Sequence, residues 1–191
     1  MNKKARKSDA TQLAAVESLH ESVDQRVSVL TGKHKARLQC KHGCHKCCVD
    51  DLTVFAVEAQ VIQAHHSDLL RNGEPAPVGQ CAFLDGMGGC RIYRHRPYVC
   101  RTQGLPLRWL ETVEAEVFEY RDICPLNETD TPLEVLDEDD FWTLGEFEGQ
   151  LAGIQASVDG ALTRLALRAL FQNKTNCRKP ETTQKSGGWE V

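Results

Sequence analysis

The chain has 191 residues, of which 41% are hydrophobic, and it carries a formal net charge of −4. This length suits one domain with a hydrophobic core and is short for two. No apolar run approaches the roughly 20 residues that a transmembrane helix needs, so we expect no membrane span. Charge is uneven, because residues 111–150 hold fourteen acidic residues and one basic residue. Such an acidic flank would repel a phosphate backbone, so we do not expect nucleic acid as the main partner.

The first predicted element is a long helix over residues 8–39. Apolar residues recur in it at three- and four-residue steps, and Ser8 or Asp9 can cap its beginning. The basic segment before this helix lacks the apolar run of a secretion signal. We therefore expect a cytoplasmic protein whose thiols stay reduced.

A dense cysteine run follows, with four thiols in nine residues: Cys40, Cys44, Cys47 and Cys48. The thiolate is the form that binds metals, and the Lys and His residues between these thiols favour it. We expect Cys40, Cys44 and one of the adjacent pair to surround a metal, while the other cysteine serves a second site or packs beneath the first. Disulfides, inert buried cysteines and a thioredoxin-like redox pair explain so many clustered thiols less well.

After the cysteine run, helix-forming residues with spaced apolar positions predict a helix over residues 56–70. His65 and His66 lie near its end. We expect these histidines to face solvent and interact with the helix dipole, rather than to bind a metal.

A second group of thiols is formed by Cys81, Cys90 and Cys100. Glycines before Cys90 would let the chain fold back so that Cys81 and Cys90 approach one metal, and Pro97 suits a helical turn that delivers Cys100. Four arginines surround this region, and we expect most of them to pair with the acidic flank: Arg91, Arg94, Arg96 and Arg101. The alternative is that they offset the negative charge of a thiolate–metal centre or bind an anionic substrate.

Residues 105–119 alternate between apolar and polar side chains, which predicts a small antiparallel hairpin. Its return arm would bring Cys124 back towards the earlier thiols. Beyond an acidic loop, residues 141–171 have a helical apolar pattern. The polar segment 173–191 is predicted to be disordered, so Cys177 is not expected to be a ligand.

The cysteine pattern as a whole reads Cys40-x3-Cys44-x2-Cys47-Cys48, then Cys81-x-Phe-Leu, then Cys90-x-Ile-Tyr-x-x-Arg-Pro-x-x-Cys100-Arg. Over roughly residues 40–125 it resembles the YkgJ family of CxxCxxCC cysteine-cluster proteins, described as zinc- or iron-chelating. The resemblance implies these seven cysteines as metal ligands, with Cys124 matching a later cysteine of the family. Flagellin lysine N-methylases have a similar cluster, but they are longer, and no methyl-donor domain is recognisable here.

These observations predict a mainly α, metal-centred single domain with one small β-hairpin. We divide it into an N-terminal helix with a basic tail (1–39), a cysteine-cluster metal-binding domain (40–125), an acidic loop and helix on the same core (126–172), and a disordered tail (173–191).

The predicted function is metal binding in the cytoplasm, with iron, for example as a 4Fe–4S cluster, or zinc as the cofactor. One alternative is a cluster-dependent redox or methyl-transfer enzyme, and another is a zinc-stapled module that binds a protein through residues 111–150. The spacing of Cys40, Cys44 and Cys47 is that of radical S-adenosylmethionine enzymes. The chain is, however, too short for their partial barrel, and it lacks strand–helix repeats.

Overall fold

The first element of the fold is a 31-residue helix, α1 (Lys3–Lys33), in a computed structural model that describes residues 3–171 and the side chains from residue 10 onward. The predicted helix is confirmed, but it ends six residues earlier than residue 39. Beyond Lys33 the chain leaves the helix axis and contacts the acidic loop. His34 Nε2 lies 2.7 Å from the Asp140 carbonyl oxygen, and Arg37 donates to the Thr131 carbonyl. These contacts with the acidic loop outweigh the helix propensity of residues 34–39.

Two short helices replace the single helix predicted over residues 56–70. They are α2 (Ala56–His65) and α3 (Ser67–Asn72), and the break lies at His66, with φ −128° and ψ 29°. Its Nε2 atom lies 3.0 Å from Nδ1 of His95. The His65 ring is exposed, as expected, and stacks on the same imidazole at 3.9 Å. His66 is half-buried, so the expectation that it faces solvent is wrong.

The predicted hairpin is confirmed as β2 (Leu107–Val113) and β3 (Glu116–Asp122), which pair antiparallel with Trp109 opposite Tyr120. A short strand, β4 (Trp142–Thr143), adds to β2 in parallel. A second antiparallel sheet joins β1 (Thr53–Phe55) to β5 (Arg164–Ala166), and local alternation gave no sign of that pairing.

The predicted helix over residues 141–171 is only half correct. Strand β4 begins the segment, α5 (Glu146–Asp159) follows, and the helix stops at Gly160 in the left-handed conformation, with φ 70°. Glycine favours this C-terminal geometry because it has no β-carbon. Beyond it, the spaced leucines belong to β5 and to a 3-10 helix rather than to one helical face.

The remaining elements are short and lie near the cysteines or in the acidic loop. A single helical turn, α4 (Tyr98–Arg101), follows Pro97 as predicted. The 3-10 helices are Tyr93–His95, Pro125–Asn127, Leu133–Val135, Glu138–Asp140 and Leu167–Leu170.

Two packed groups of buried side chains form the core of a single domain. The first lies where α1 meets α2, α4 and α5, with Val16, Val23 and Leu151 almost inaccessible. The second surrounds Phe83 and includes Cys81, with Cys48 and Cys90 packed against it. The predicted tail 173–191, with Cys177, lies outside the described residues. None of the described helices is both long and apolar enough to cross a membrane.

Candidate metal centre

One cavity of about 550 Å³ brings most of the predicted ligands together. Its wall contains seven of the eight described cysteines: Cys40, Cys44, Cys47, Cys48, Cys81, Cys90 and Cys100. All eight described cysteines are free thiols. Apolar side chains, among them Phe83, Ile92 and Leu105, form much of the remaining wall. The second cysteine group, Cys81, Cys90 and Cys100, therefore lies close to the first group in space.

Four of these thiols, which we call the inner set, lie close enough to affect one another's pKa: Cys48, Cys81, Cys90 and Cys100. Cys81 is buried and the other three are half-buried. The Cys81 N–H donates to the Cys48 carbonyl oxygen at 3.0 Å, which joins the first and second cysteine segments. Burial, together with the neighbouring Cys81 and Cys90 thiols, raises the pKa of Cys100 to about 12. A metal ion or cluster would displace these tightly held protons.

Backbone amides and arginines favour the anionic form of the inner set. Burial raises the pKa of Cys81 and of Cys90, but the N–H groups of the residues two positions later donate to each sulfur and oppose the rise. Arg91 lowers the pKa of both thiols, and Arg96 acts in the same direction on Cys90 and Cys100. Hydrogen bonds and cations of this kind stabilise metal-bound thiolates.

The expectation that these arginines pair with the acidic flank is wrong for the described residues. Arg91 donates to the Ala82 carbonyl at 2.6 Å, Arg96 lies over the Tyr93 ring, and Arg101 forms an ion pair with Asp24 of α1. Acidic residues of the flank instead pair with arginines that were not predicted as their partners. Glu119 and Glu138, for example, both form ion pairs with Arg108.

The other four thiols, the outer set, are Cys40, Cys44, Cys47 and Cys124. Burial raises the pKa of Cys40, and the nearby Cys44, Cys124 and Cys47 thiols add to the effect, so Cys124 lies close to Cys40 although it does not line the cavity. Cys40 and Cys47 are exposed. The Cys48 thiol donates to Cys47, which lowers the pKa of Cys47 to about 6 and raises that of Cys48, and this adjacent pair connects the two sets.

A buried asparagine, Asn127, holds the outer set together. It donates to the Gly104 carbonyl at 2.7 Å and to Cys40 Sγ at 3.4 Å, accepts from the Gln39 N–H, and donates its own N–H to the Cys124 carbonyl. Gly104 has φ +92°, and a β-carbon there would lie 2.6 Å from Cys40 Sγ. Sequence reasoning missed both residues, because nothing local marks an asparagine or a glycine as a neighbour of a distant thiol.

Two further charged residues fix the inner set. Arg168 forms an ion pair with Asp50 at 2.6 Å and donates to three carbonyls in residues 76–80, which ties together the segments that carry Cys48 and Cys81. Glu58, 3% exposed, accepts from the Tyr98 N–H at 2.7 Å and so holds the turn that carries Cys100. Sequence reasoning missed both, since their partners are distant along the chain.

The thiols do not converge on one point. Among the described residues, no group of three or more His, Cys, Asp or Glu side chains is arranged to hold a single metal ion. The donor set nevertheless fits a soft metal, because thiolates select zinc and iron–sulfur centres over calcium or magnesium.

Comparison with known families agrees with this chemistry. Residues 39–125, just under half of the chain, match the family model CxxCxxCC, described as a "putative zinc- or iron-chelating domain". No curated protein and no solved structure matches the chain. All eight predicted ligands fall within the matched segment. Residues 39–125 are therefore similar to a cysteine-cluster family that is described as zinc- or iron-chelating.

Proposed function

We propose that this chain is a cytoplasmic iron-binding protein whose inner set holds an iron–sulfur cluster and whose outer set holds a second metal. The observation that carries the proposal is the cavity of about 550 Å³ that the thiols line. Exposed free thiols such as Cys40 and Cys47 also suit a reducing compartment.

The open cavity between the thiols favours a cluster over zinc at the inner set. Four thiolates on one zinc ion lie at 2.3 Å from the metal and therefore about 3.8 Å from one another, which leaves no open volume between them. An iron–sulfur cluster places several irons and sulfides between its cysteines. A cavity bounded by thiols, rather than a closed thiol tetrahedron, is the arrangement that a cluster requires.

Charge and solvation also favour a cluster at the inner set. Four thiolates on an oxidised 4Fe–4S core carry a net charge of about −2. Arg91 and Arg96 supply two positive charges beside these thiols, and apolar residues such as Phe83 and Ile92 limit the access of water. The cluster would supply one-electron redox chemistry, while the chain's own residues hold it, compensate its charge and exclude solvent.

The outer set differs from the inner set in exposure and charge. Two of its thiols are exposed. Cys40 receives a hydrogen bond from the neutral Asn127 amide, whereas the positive charges of Arg91 and Arg96 act on thiols of the inner set. We infer that its metal exchanges with solution more readily than the cluster does, because solvent and competing ligands can reach it.

Single cysteine variants of anaerobically purified protein test this division. Cys100→Ser should abolish the visible absorption of the cluster, while Cys124→Ser should keep that absorption and lose only the exchangeable metal. Cys177→Ser is the matched control and should keep both. If Cys100→Ser retained full absorption, or if Cys124→Ser and Cys100→Ser had the same effect, the two-set proposal would be wrong.

A zinc-stapled interaction module is the second candidate function. It is favoured by the exposed hairpin β2–β3, on which Leu110, Val117 and Phe118 are all accessible. Stoichiometric zinc without sulfide in both sets would support this candidate, because a structural metal then positions a binding surface.

A further inference from the structure

The hairpin β2–β3 presents an unusual amount of accessible strand surface. Each residue from 110 to 120 is exposed, although most of this segment lies in strands. Sheets normally cover one face with the core, and an isolated two-stranded hairpin is only marginally stable in water. Both faces of the hairpin over residues 110–120 are therefore exposed to solvent.

One of the two faces is aromatic. Trp109 and Tyr120 lie opposite each other with their rings stacked at 5.4 Å, and Phe118 and Val113 follow on the same side. Phe118 is 43% exposed and Tyr120 is 40% exposed. Exposed, grouped aromatic residues of this kind are enriched where proteins bind partners.

The charge on the hairpin is acidic and largely uncompensated. Glu111, Glu114 and Glu116 form no ion pair with a cationic side chain in the described part of the protein. The two arginines of the hairpin are already used at its base. There, Arg108 pairs with Glu119 and Glu138, and Arg121 also pairs with Glu119.

Strand β3 also has an open edge. The sheet order is β3-β2-β4, so β3 pairs with β2 on one side, and within residues 3–171 no strand pairs with its other side. An edge strand offers backbone N–H and C=O groups that can pair with another extended segment.

We propose that the β3 edge and the aromatic face beside it bind a basic polypeptide in extended conformation, in which Lys or Arg and apolar residues occupy every second position and so share one face of the bound strand. Backbone pairing gives the strand its register, the apolar residues contact Phe118 and Tyr120, and the basic residues meet Glu111 and Glu116. A second copy of this chain fits less well, because joining two β3 edges would bring together strands that each carry three acidic residues and one already paired arginine. The proposal does not depend on which metal the cysteines hold.

The test is selection of binding peptides from a random display library on the full, metal-loaded chain. Enriched peptides should carry both basic and apolar residues at every second position, and their affinity should fall as the salt concentration rises. Phe118→Ser and Glu116→Lys should each weaken binding by at least about tenfold. The matched controls Val78→Ser and Glu21→Lys, which change exposed residues outside the hairpin, should bind as the unmodified chain does.

Each other outcome would overturn the proposal. These outcomes are the absence of enriched peptides, enrichment of acidic peptides, or equal losses in the hairpin and control variants. Light scattering tests whether a second copy of the chain occupies this surface. If the unmodified chain is a dimer and Phe118→Ser makes it a monomer, the surface binds a second copy and the proposal is wrong. Unchanged metal content in all four variants shows that any loss of binding does not come from damage to the metal centre.

Discussion

Replacing Arg168 with methionine should destabilise the contact between the segment that carries Cys48 and the segment that carries Cys81. Arg168 Nε lies 2.6 Å from Asp50 Oδ1, and its other nitrogens donate to the carbonyls of Ala76, Pro77 and Gln80. Asp50 lies two residues after Cys48, and Gln80 directly precedes Cys81. The variant Arg168→Met keeps most of the aliphatic bulk and removes all of these hydrogen bonds.

The expected loss is about 3 kcal/mol of the free energy of unfolding. The two side chains are only 17% and 10% exposed, so removing the guanidinium leaves a largely buried carboxylate without its cation. Breaking a buried pair in this way costs roughly 3–5 kcal/mol, and we take the lower end because some solvent reaches both partners. The metal-free protein should show the loss in urea denaturation.

The dependence of this loss on pH follows from Asp50. Burial raises the pKa of Asp50, but hydrogen bonds from Arg168 and from the Gly79 N–H outweigh it, so the pKa lies below its usual value. A carboxyl with a lowered pKa contributes stability above the unfolded value of about 3.9 and loses that contribution as the pH falls through the folded value. The difference between Arg168→Met and the unmodified chain should therefore be largest near neutral pH and should shrink as the pH falls below about 4.

Arg164→Met is the matched control for this prediction. Arg164 lies in the same terminal segment and pairs with Glu148, but its side chain is 39% exposed. An exposed ion pair contributes at most about 1 kcal/mol, so this variant should be close to the unmodified chain. Equal costs for the two variants, or a cost for Arg168→Met that does not vary with pH, would refute the reasoning.

Three further variants test other parts of the structure. Glu58→Ala removes the acceptor for the Tyr98 N–H and should lower the free energy of unfolding by about 1–3 kcal/mol in urea denaturation, while Cys100 becomes more reactive to a thiol reagent. Gly104→Ala should deplete the exchangeable metal, measured by elemental analysis, while Gly153→Ala, which meets no neighbour within 4 Å, should not. Ala115→Gly relieves a backbone with φ 71° and should slow hydrogen exchange in the hairpin by stabilising it by about 1 kcal/mol.

Local patterns in the sequence predicted the elements that are stabilised by contacts between residues close in the chain. Alternation between Leu105 and Glu119 predicted the hairpin, and the reversal of the chain there correctly suggested that Cys124 returns towards the first thiols. The helix predicted over residues 141–171 was wrong beyond Gly160 because spaced leucines fit both a helix and a strand. Only the pairing of β5 with β1, over a hundred residues away, decides between them.

The surroundings of the metal centre could be predicted only in part. The spacing of the cysteines predicted that they come together in space. No pattern in the sequence predicted the partners of the arginines. Complementary charge suggested the acidic flank for Arg101, but its guanidinium lies 4% exposed against α1, where Asp24 is the available carboxylate. Asn127 and Arg168 have no recognisable motif, because their roles depend on where distant loops meet.

The most direct measurement is the iron, sulfide and zinc content of the anaerobically purified chain, together with its visible absorption spectrum. The proposed cluster predicts brown protein with about four irons and about four acid-labile sulfides per chain, besides any metal in the outer set. Colourless protein with zinc in both sets and no sulfide would contradict it.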